Sequence, residues 1–162
     1  MNRMRISTDS HKKTLEFGEE LGRHLKSRDI VLLYGDLGSG KTTLTKGICR
    51  GLGVNEDEYI RSPSFTLVNI YQGILTINHI DLYRLNSLNE IEELGLEENL
   101  FSNSVSIIEW PEKLGEIVGP KTNLGLGIDE RIEIRITIDT KDSRTFDIKV
   151  ISEHQRSLPH IP

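Results

Sequence analysis

Hydrophobic spacing divides the first third of the chain into a helix, a strand and a second helix. Over residues 10–25, apolar residues share one face at helical spacing, which predicts an amphipathic helix. Residues 30–34 form an unbroken apolar run between charge and glycine, which is typical of a fully buried strand. Apolar residues then recur every fourth position over residues 41–52 and predict the second helix.

Strand patterns dominate the rest of the chain. Gly73 separates two of them and predicts a hairpin. Isoleucines alternate with charged or polar residues near the C-terminus, as expected for half-buried strands. The predicted strands cover residues 65–72, 74–80, 105–108, 132–138 and 146–150. A glutamate-rich stretch at residues 88–100 is predicted to be helical.

These elements predict an α/β fold in which helices flank a central mixed β-sheet. The first strands have the pattern of parallel strands, and the last two have the pattern of antiparallel ones. A length of 162 residues without an internal repeat or linker predicts one domain, at residues 1–151. Residues 152–162 are polar and aperiodic, and we expect them to form a weakly structured C-terminal tail.

Composition narrows the classes of function. The net charge of −5, from 20 basic and 25 acidic residues, disfavours direct binding of DNA or other polyanions but permits a local phosphate site. No stretch approaches the roughly 18 to 20 apolar residues of a membrane span, and the N-terminus lacks the pattern of a secretory signal. We therefore expect a cytoplasmic protein without a membrane partner. The single cysteine, Cys49, excludes an internal disulfide and fits a buried helix position.

The strongest motif lies between the first predicted strand and the second predicted helix. It reads Gly35-Asp36-Leu37-Gly38-Ser39-Gly40-Lys41-Thr42 and matches the phosphate-loop pattern G-x-x-x-x-G-K-[ST]. Glycines let backbone N–H groups surround an anion, and the helix N-terminus adds its positive dipole end. In this pattern the lysine contacts the β and γ phosphates and the hydroxyl binds Mg²⁺. The motif predicts a P-loop NTPase-like three-layer fold.

Asp36 and Leu37 indicate less about function. An acidic residue in the loop is equally compatible with orienting a water molecule or a partner and with simple exposure to solvent. Two carboxylates follow predicted strands directly, Asp81 and Glu109. Ligands of open α/β sheets bind at the carboxyl ends of strands, so both carboxylates are candidates for the catalytic centre. Acidic residues also end strands for structural reasons, and only the nearby phosphate loop favours the catalytic interpretation.

Two further segments allow a structural and a functional interpretation. Residues 62–66 carry small hydroxyls stiffened by Pro63, as in a segment that senses the γ-phosphate, but they also fit an ordinary turn before a strand. Trp110 follows Glu109 and is equally compatible with stacking on a ligand or partner and with the core. The five histidines are too scattered for metal-ligand spacing, and we interpret them as surface residues or supporting neighbours of a site.

Together these motifs resemble the TsaE family (also called YjeE), the P-loop ATPases of bacterial tRNA threonylcarbamoyladenosine biosynthesis. The resemblance covers about residues 14–150. It is carried by Tyr34 to Thr43, by Ser62-Pro63-Ser64-Phe65-Thr66-Leu67-Val68, by His79-Ile80-Asp81-Leu82-Tyr83-Arg84-Leu85 and by Ile108-Glu109-Trp110-Pro111-Glu112. The chain departs from the usual family pattern at Ser39, where alanine is common, and at Ser64, where threonine is common.

The resemblance implies a role for each matching position. It implies catalytic roles for Lys41, Asp81 and Glu109, and Mg²⁺ ligands in Thr42 and Glu109. The implied switch or partner-facing residues are Ser62, Ser64, Thr66 and Trp110. The implied nucleotide-binding residues are Asp36, Leu37, Gly38, Ser39, Gly40, Lys41, Thr42, Thr43 and Arg144.

The resemblance also implies the function: a slow ATPase that uses ATP and Mg²⁺ and supports the TsaD–TsaB complex, which modifies the adenosine beside the anticodon of tRNA. The tRNA is then contacted only indirectly, through those partners. Two alternatives stay open. A small-molecule kinase usually needs an arginine-rich lid, whereas residues 86–101 carry five glutamates and no Lys or Arg. A binding module gated by nucleotide would need no hydrolysis.

Overall fold

The computed structural model describes residues 2–114, 128–153 and 158. These residues include seven strands and four helices, and residues 112–114 are also helical. The strands are β1 (Asn2–Thr8), β2 (Ile30–Tyr34), β3 (Val68–Gln72), β4 (Thr76–Asp81), β5 (Ser104–Glu109), β6 (Arg131–Ile138) and β7 (Arg144–Ile151). The helices are α1 (His11–His24), α2 (Lys41–Gly51), α3 (Leu88–Glu93) and α4 (Leu96–Leu100).

All seven strands form one mixed sheet in the order β1-β7-β6-β2-β5-β4-β3. The centre is parallel, since β2 pairs in parallel with both β5 and β6, and β4 pairs in parallel with β5. The edges are antiparallel, through β3–β4 on one side and β6–β7–β1 on the other. The predicted α/β fold with a mixed sheet is confirmed, and so is the hairpin at Gly73.

Helices α1 and α2 cover one face of the sheet and cross each other very closely. Gly18 in α1 faces α2, where an added Cβ would lie 2.7 Å from the Leu44 carbonyl oxygen. Gly47 in α2 faces α1, where an added Cβ would lie 2.5 Å from the Leu15 carbonyl oxygen. Real Cβ atoms do not approach backbone this closely, so the crossing requires glycine on both helices.

The core divides into two clusters, one on each face of the sheet. Under α1 and α2, Phe17 packs on Phe146 with ring centroids 4.9 Å apart. Cys49 is fully buried in this cluster, and burial raises the pKa of its thiol to about 12, so the thiol stays protonated and inert. On the opposite face, α3 and α4 contribute Ile91, Leu96 and Leu100 to a second cluster.

Several predicted boundaries were wrong for local reasons. The predicted helix at 88–100 is two short helices, because Gly95 takes a φ of 58° between them and Ser87 begins α3 with a capping box. The predicted strand at 65–72 starts only at Val68, because residues 64–66 form a turn. Sequence analysis missed β1, in which Met4 and Ile6 alternate with exposed arginines against β7.

Most of the predicted tail lies outside the described residues, which include only Ser152, Glu153 and Leu158 of it. Leu158 is 7% exposed and belongs to the cluster under α1 and α2. Among the described helices, none has the length and apolarity needed to span a bilayer.

Candidate nucleotide-binding site

The phosphate loop connects β2 to α2 at the carboxyl edge of the parallel strands. Gly38 and Gly40 have φ angles of 77° and 104°, a backbone region that disfavours side chains with a Cβ. Gly40 is the N-cap of α2, so the helix begins at Lys41 with its first N–H groups directed at the loop. This local geometry makes the loop and the helix N-terminus one anion-binding surface.

Lys41 is held within the loop. Its side chain is nearly buried, and Nζ donates to the carbonyl oxygens of Gly35 at 2.6 Å and Asp36 at 3.0 Å. Nζ also lies 4.3 Å from the centre of the Trp110 ring. Burial lowers the pKa of Lys41, and the negative charge of Glu109 opposes that shift. The loop therefore holds the poorly hydrated Lys41 ammonium at a position where a bound phosphate would compensate its positive charge.

Asp81 and Glu109 end neighbouring parallel strands and face each other in the β4–β5 register. Both are buried, at 4% and 3% exposure, and each is hydrogen-bonded. Asp81 accepts from the Ser62 hydroxyl at 2.5 Å and from the Tyr83 N–H at 2.9 Å. Glu109 receives a 3.4 Å hydrogen bond from the Thr42 hydroxyl, which joins the end of β5 to the phosphate loop. The two carboxylates therefore have separate partners at one edge of the sheet.

His79 supports Glu109 from inside the sheet. It is fully buried in β4, and its Nε2 lies 2.7 Å from Oε1 of Glu109. Its Nδ1 has no hydrogen-bond partner among the described residues. A neutral ring that carries its proton on Nε2 satisfies the carboxylate and leaves only a lone pair unpaired. His79 thus fixes the orientation of Glu109.

Trp110 takes a left-handed backbone conformation directly after β5, with a φ of 58°. This conformation costs roughly 1–2 kcal/mol for a residue with a Cβ. Its ring packs against Tyr83, with centroids 4.8 Å apart, and it also joins the edge of the core cluster near α3 and α4. Trp110 therefore packs at the edge of the core and lines the cleft, and its stacking on a ligand or partner stays a prediction.

These residues surround an open cleft of about 490 Å³. Most of the predicted site residues line it: Leu37, Gly38, Ser39, Gly40, Lys41, Thr42, Thr43, Ser62, Ser64, Asp81, Glu109 and Trp110. Ser39 is fully buried and its hydroxyl has no partner among the described residues.

Three predicted site residues do not line the cleft. Asp36 contributes its carbonyl oxygen to Lys41. Thr66 is exposed and bonds to Asn69. Arg144 holds the phosphate loop from outside, since its guanidinium donates to the carbonyl oxygens of Ser39 and Gly38. The arginine therefore supports the shape of the loop, and its direct contact with a nucleotide stays a prediction.

The protein oxygen atoms that the described residues place at the cleft are too few to bind a hard cation on their own. A bound nucleotide would complete the set of ligands with its phosphate oxygens. In the described ranges, no cluster of three or more His, Cys, Asp or Glu side chains could hold a metal ion. The Thr42 hydroxyl and the Glu109 carboxylate instead make an incomplete set of oxygen ligands. Mg²⁺ is commonly held by one or two carboxylates plus substrate phosphates, so this donor set fits it.

Three cleft or supporting residues were missed or underrated by the sequence analysis. His79 lies two residues before Asp81, and in a strand this spacing puts both side chains on one face. Tyr83 and Arg84 follow Asp81 in the loop and line the cleft. The period-two position of His79 could have been found in the sequence, and the two loop residues lie in the run of residues 79–85 that carries the family resemblance.

Comparisons with known proteins identify relatives of this chain. The family model described as threonylcarbamoyl adenosine biosynthesis protein TsaE matches residues 8–146. The tRNA threonylcarbamoyladenosine biosynthesis protein TsaE of Treponema pallidum (strain Nichols) is 40% identical over 111 residues, covering 68% of this chain and 81% of that protein. The protein of the same name from Bacillus subtilis (strain 168) is 35% identical over 143 residues, covering 85% and 87%.

A solved structure shares the fold. The crystal structure of Bacillus subtilis YdiB superposes with a TM-score of 0.73 at 28% sequence identity, covering 93% of this chain and 87% of that one. The family model spans the phosphate loop and the strands that carry Asp81 and Glu109. On this evidence the chain belongs to the TsaE family of threonylcarbamoyl adenosine biosynthesis proteins.

Proposed function

We propose that this chain is a Mg²⁺-dependent ATPase that supports threonylcarbamoyl modification of tRNA by acting on the TsaD–TsaB complex. The observation that carries the proposal is the single cleft that joins a phosphate loop to two buried, separately hydrogen-bonded carboxylates. The family role in tRNA threonylcarbamoyladenosine biosynthesis supplies the biological context. Because the TsaD–TsaB complex acts on tRNA, we propose that this chain works in the cytoplasm.

In this proposal the loop amides and Lys41 bind the triphosphate. Thr42 and Glu109 would hold Mg²⁺, which when bound neutralises charge on the β and γ phosphates. Asp81 orients the attacking water, and its own orientation is set by the Ser62 hydroxyl and the Tyr83 N–H. Trp110 and Tyr83 close one side of the cleft and limit access of bulk water.

Hydrolysis by the isolated chain should be slow. Arg84 is the one arginine that lines the cleft among the described residues, and its guanidinium lies 4.2 Å from the centre of the exposed Phe65 ring. An arginine placed on the γ-phosphate accelerates related enzymes about a thousandfold or more. We therefore expect ATP turnover to rise when TsaD–TsaB binds. Rapid turnover by the chain alone, or failure to bind ATP with Mg²⁺ in calorimetry, would count against the proposal.

Asp81→Ala separates hydrolysis from nucleotide-gated binding. We expect turnover to fall about a hundredfold or more because the water loses its orienting carboxylate, while ATP affinity changes little. The measurements are ATP turnover, calorimetric ATP binding and tRNA modification in a reconstituted system. Asp57→Ala, at an exposed position outside the cleft, is the control. Full tRNA modification by Asp81→Ala without hydrolysis would instead favour the gated module.

His79 provides a test of the proposed metal ligand Glu109. Removing a group that orients a metal ligand typically costs 10- to 100-fold in metal affinity, and we expect a loss of about this size for His79→Ala. Mn²⁺ binding to the nucleotide complex, followed by electron paramagnetic resonance, measures it directly. His79→Gln retains an amide N–H near the Nε2 position and should restore most of the affinity. Equal metal affinity in His79→Ala would refute the positioning role.

A further inference from the structure

An apolar groove lies beside the nucleotide cleft. It has a volume of about 430 Å³, and its apolar lining comes from Phe65, Leu67, Leu85 and Leu94. Phe65 is 82% exposed, whereas Leu85 is 3% exposed and anchored in the core. An exposed phenylalanine contributes none of the stabilising free energy that its burial would provide. Exposed apolar patches beside grooves mark interaction sites.

The groove and the cleft share a wall. Ser64 and Arg84 line both spaces. The backbone connects them as well, because the Leu67 carbonyl oxygen accepts from the Asp81 N–H at 3.0 Å. Leu67 has a φ of 65°, an unfavourable value for a residue with a Cβ, so the turn before β3 is held in place by its contacts. The end of β4 and the segment that carries Phe65 are thereby joined by a backbone hydrogen bond.

The rim of the groove carries a net negative charge, since two glutamates and one arginine, Arg84, line it. Glu90 and Glu93 line it, and residues 86–101 carry five glutamates without a lysine or arginine. Glu93 is exposed, so its charge faces solvent or a partner. The side chain that complements this surface is apolar and is flanked by lysine or arginine.

We propose that this groove is the docking surface for a basic, apolar-tipped segment of the partner protein complex, with Phe65 as its central contact. The inference rests on the proposed function, in which that partner is TsaD–TsaB. Aromatic residues next to a pocket are frequent binding hot spots when a partner buries them. Because Ser64, Arg84 and Leu67 connect the groove to the cleft, docking here couples the partner directly to the nucleotide site.

The charge of the rim argues for a basic protein surface over other occupants. RNA would bring phosphates against the glutamates of α3 and α4, an arrangement that like-charge repulsion disfavours. A second copy of the chain, packed by the same groove, would bring the two acidic rims together. A basic protein segment meets neither penalty.

The test compares exposed apolar residues of the full-length chain. We expect Phe65→Ala to weaken binding of the chain, loaded with Mg²⁺ and a non-hydrolysable ATP analogue, to purified TsaD–TsaB by about tenfold or more. Ile74→Ala is the matched control, since Ile74 is 84% exposed and does not line the groove, and it should bind like wild type. Calorimetric affinity for the ATP analogue should be unchanged in both variants, because Phe65 does not line the cleft.

Charge reversal supplies a second variant. Glu93→Lys should weaken partner binding with a salt-dependent loss, and Glu56→Lys, at another exposed position, should have little effect. Wild-type affinity in both Phe65→Ala and Glu93→Lys would overturn the docking surface while the proposed function stands. Absence of TsaD–TsaB binding by the wild type would overturn both. Self-association of the wild type that Phe65→Ala abolishes, or binding of free tRNA that it abolishes, would replace the proposed occupant.

Discussion

Replacing Lys41 with alanine is expected to weaken binding of ATP by more than a hundredfold. Nζ is nearly buried between two loop carbonyls and the Trp110 ring, where little water competes for its charge. A hydrogen bond to a charged group contributes about 1.5–3 kcal/mol, and the lysine, which has three N–H donors, can give two to the triphosphate once it releases at least one of its two loop carbonyls. The combined loss of about 3–6 kcal/mol corresponds to more than two orders of magnitude in affinity.

Titration calorimetry with ATP and Mg²⁺ measures this loss. Lys46→Ala removes a lysine from the same helix without touching the cleft, and its affinity should match that of the wild type. Lys41→Ala should stay folded, since burial lowers the pKa of Lys41 and a charged lysine with a lowered pKa destabilises the fold at neutral pH. An unchanged ATP affinity would show that the loop does not bind phosphate through this side chain.

The phosphate loop was predictable because its chemistry is local. Glycine spacing, one lysine and one hydroxyl within eight consecutive residues determine the cradle, and the buried strand and the amphipathic helix beside it supply the context. The contact between His79 and Glu109 is different, because the two residues are 30 positions apart. It exists only once β4 and β5 pair in parallel with Asp81 opposite Glu109. A single sequence does not contain that register.

The exposed position of Phe65 could not be predicted from the sequence for a related reason. Phe65 precedes a strand, and phenylalanine is common in strands. The sequence pattern therefore predicted that Phe65 belongs to the sheet. In the structure the strand begins only at Val68, and Phe65 lies 82% exposed in the preceding turn. The turn is held by the local bond from the Leu67 N–H to the Pro63 carbonyl oxygen and by the bond from the Ser62 hydroxyl to Asp81, and the second of these depends on the tertiary fold around the cleft.

The close approach of α1 and α2 could not be predicted from hydrophobic periodicity either, because that pattern counts glycine as neither apolar nor polar. Gly18 and Gly22 in α1, and Gly47 and Gly51 in α2, repeat at four-residue spacing and bring the two backbones together. Since α2 starts at the phosphate loop, this crossing fixes where the loop stands relative to the sheet. Glycines that look like weak helix formers therefore position the nucleotide site.

Replacing Gly47 with valine is consequently expected to destabilise the protein by about 3 kcal/mol or more, the upper end of the overpacking range. Its Cβ would lie 2.5 Å from the Leu15 carbonyl oxygen, so α1 must move away from α2. For a chain of 162 residues this loss lowers the melting temperature by roughly 6–12 °C, which calorimetry measures. Lys46→Val introduces the same β-branched residue at the neighbouring half-buried position and should cost well under 1 kcal/mol. Equal stability of the two variants would mean that the helices do not need glycine to cross, and the loop would then owe its position to the sheet alone.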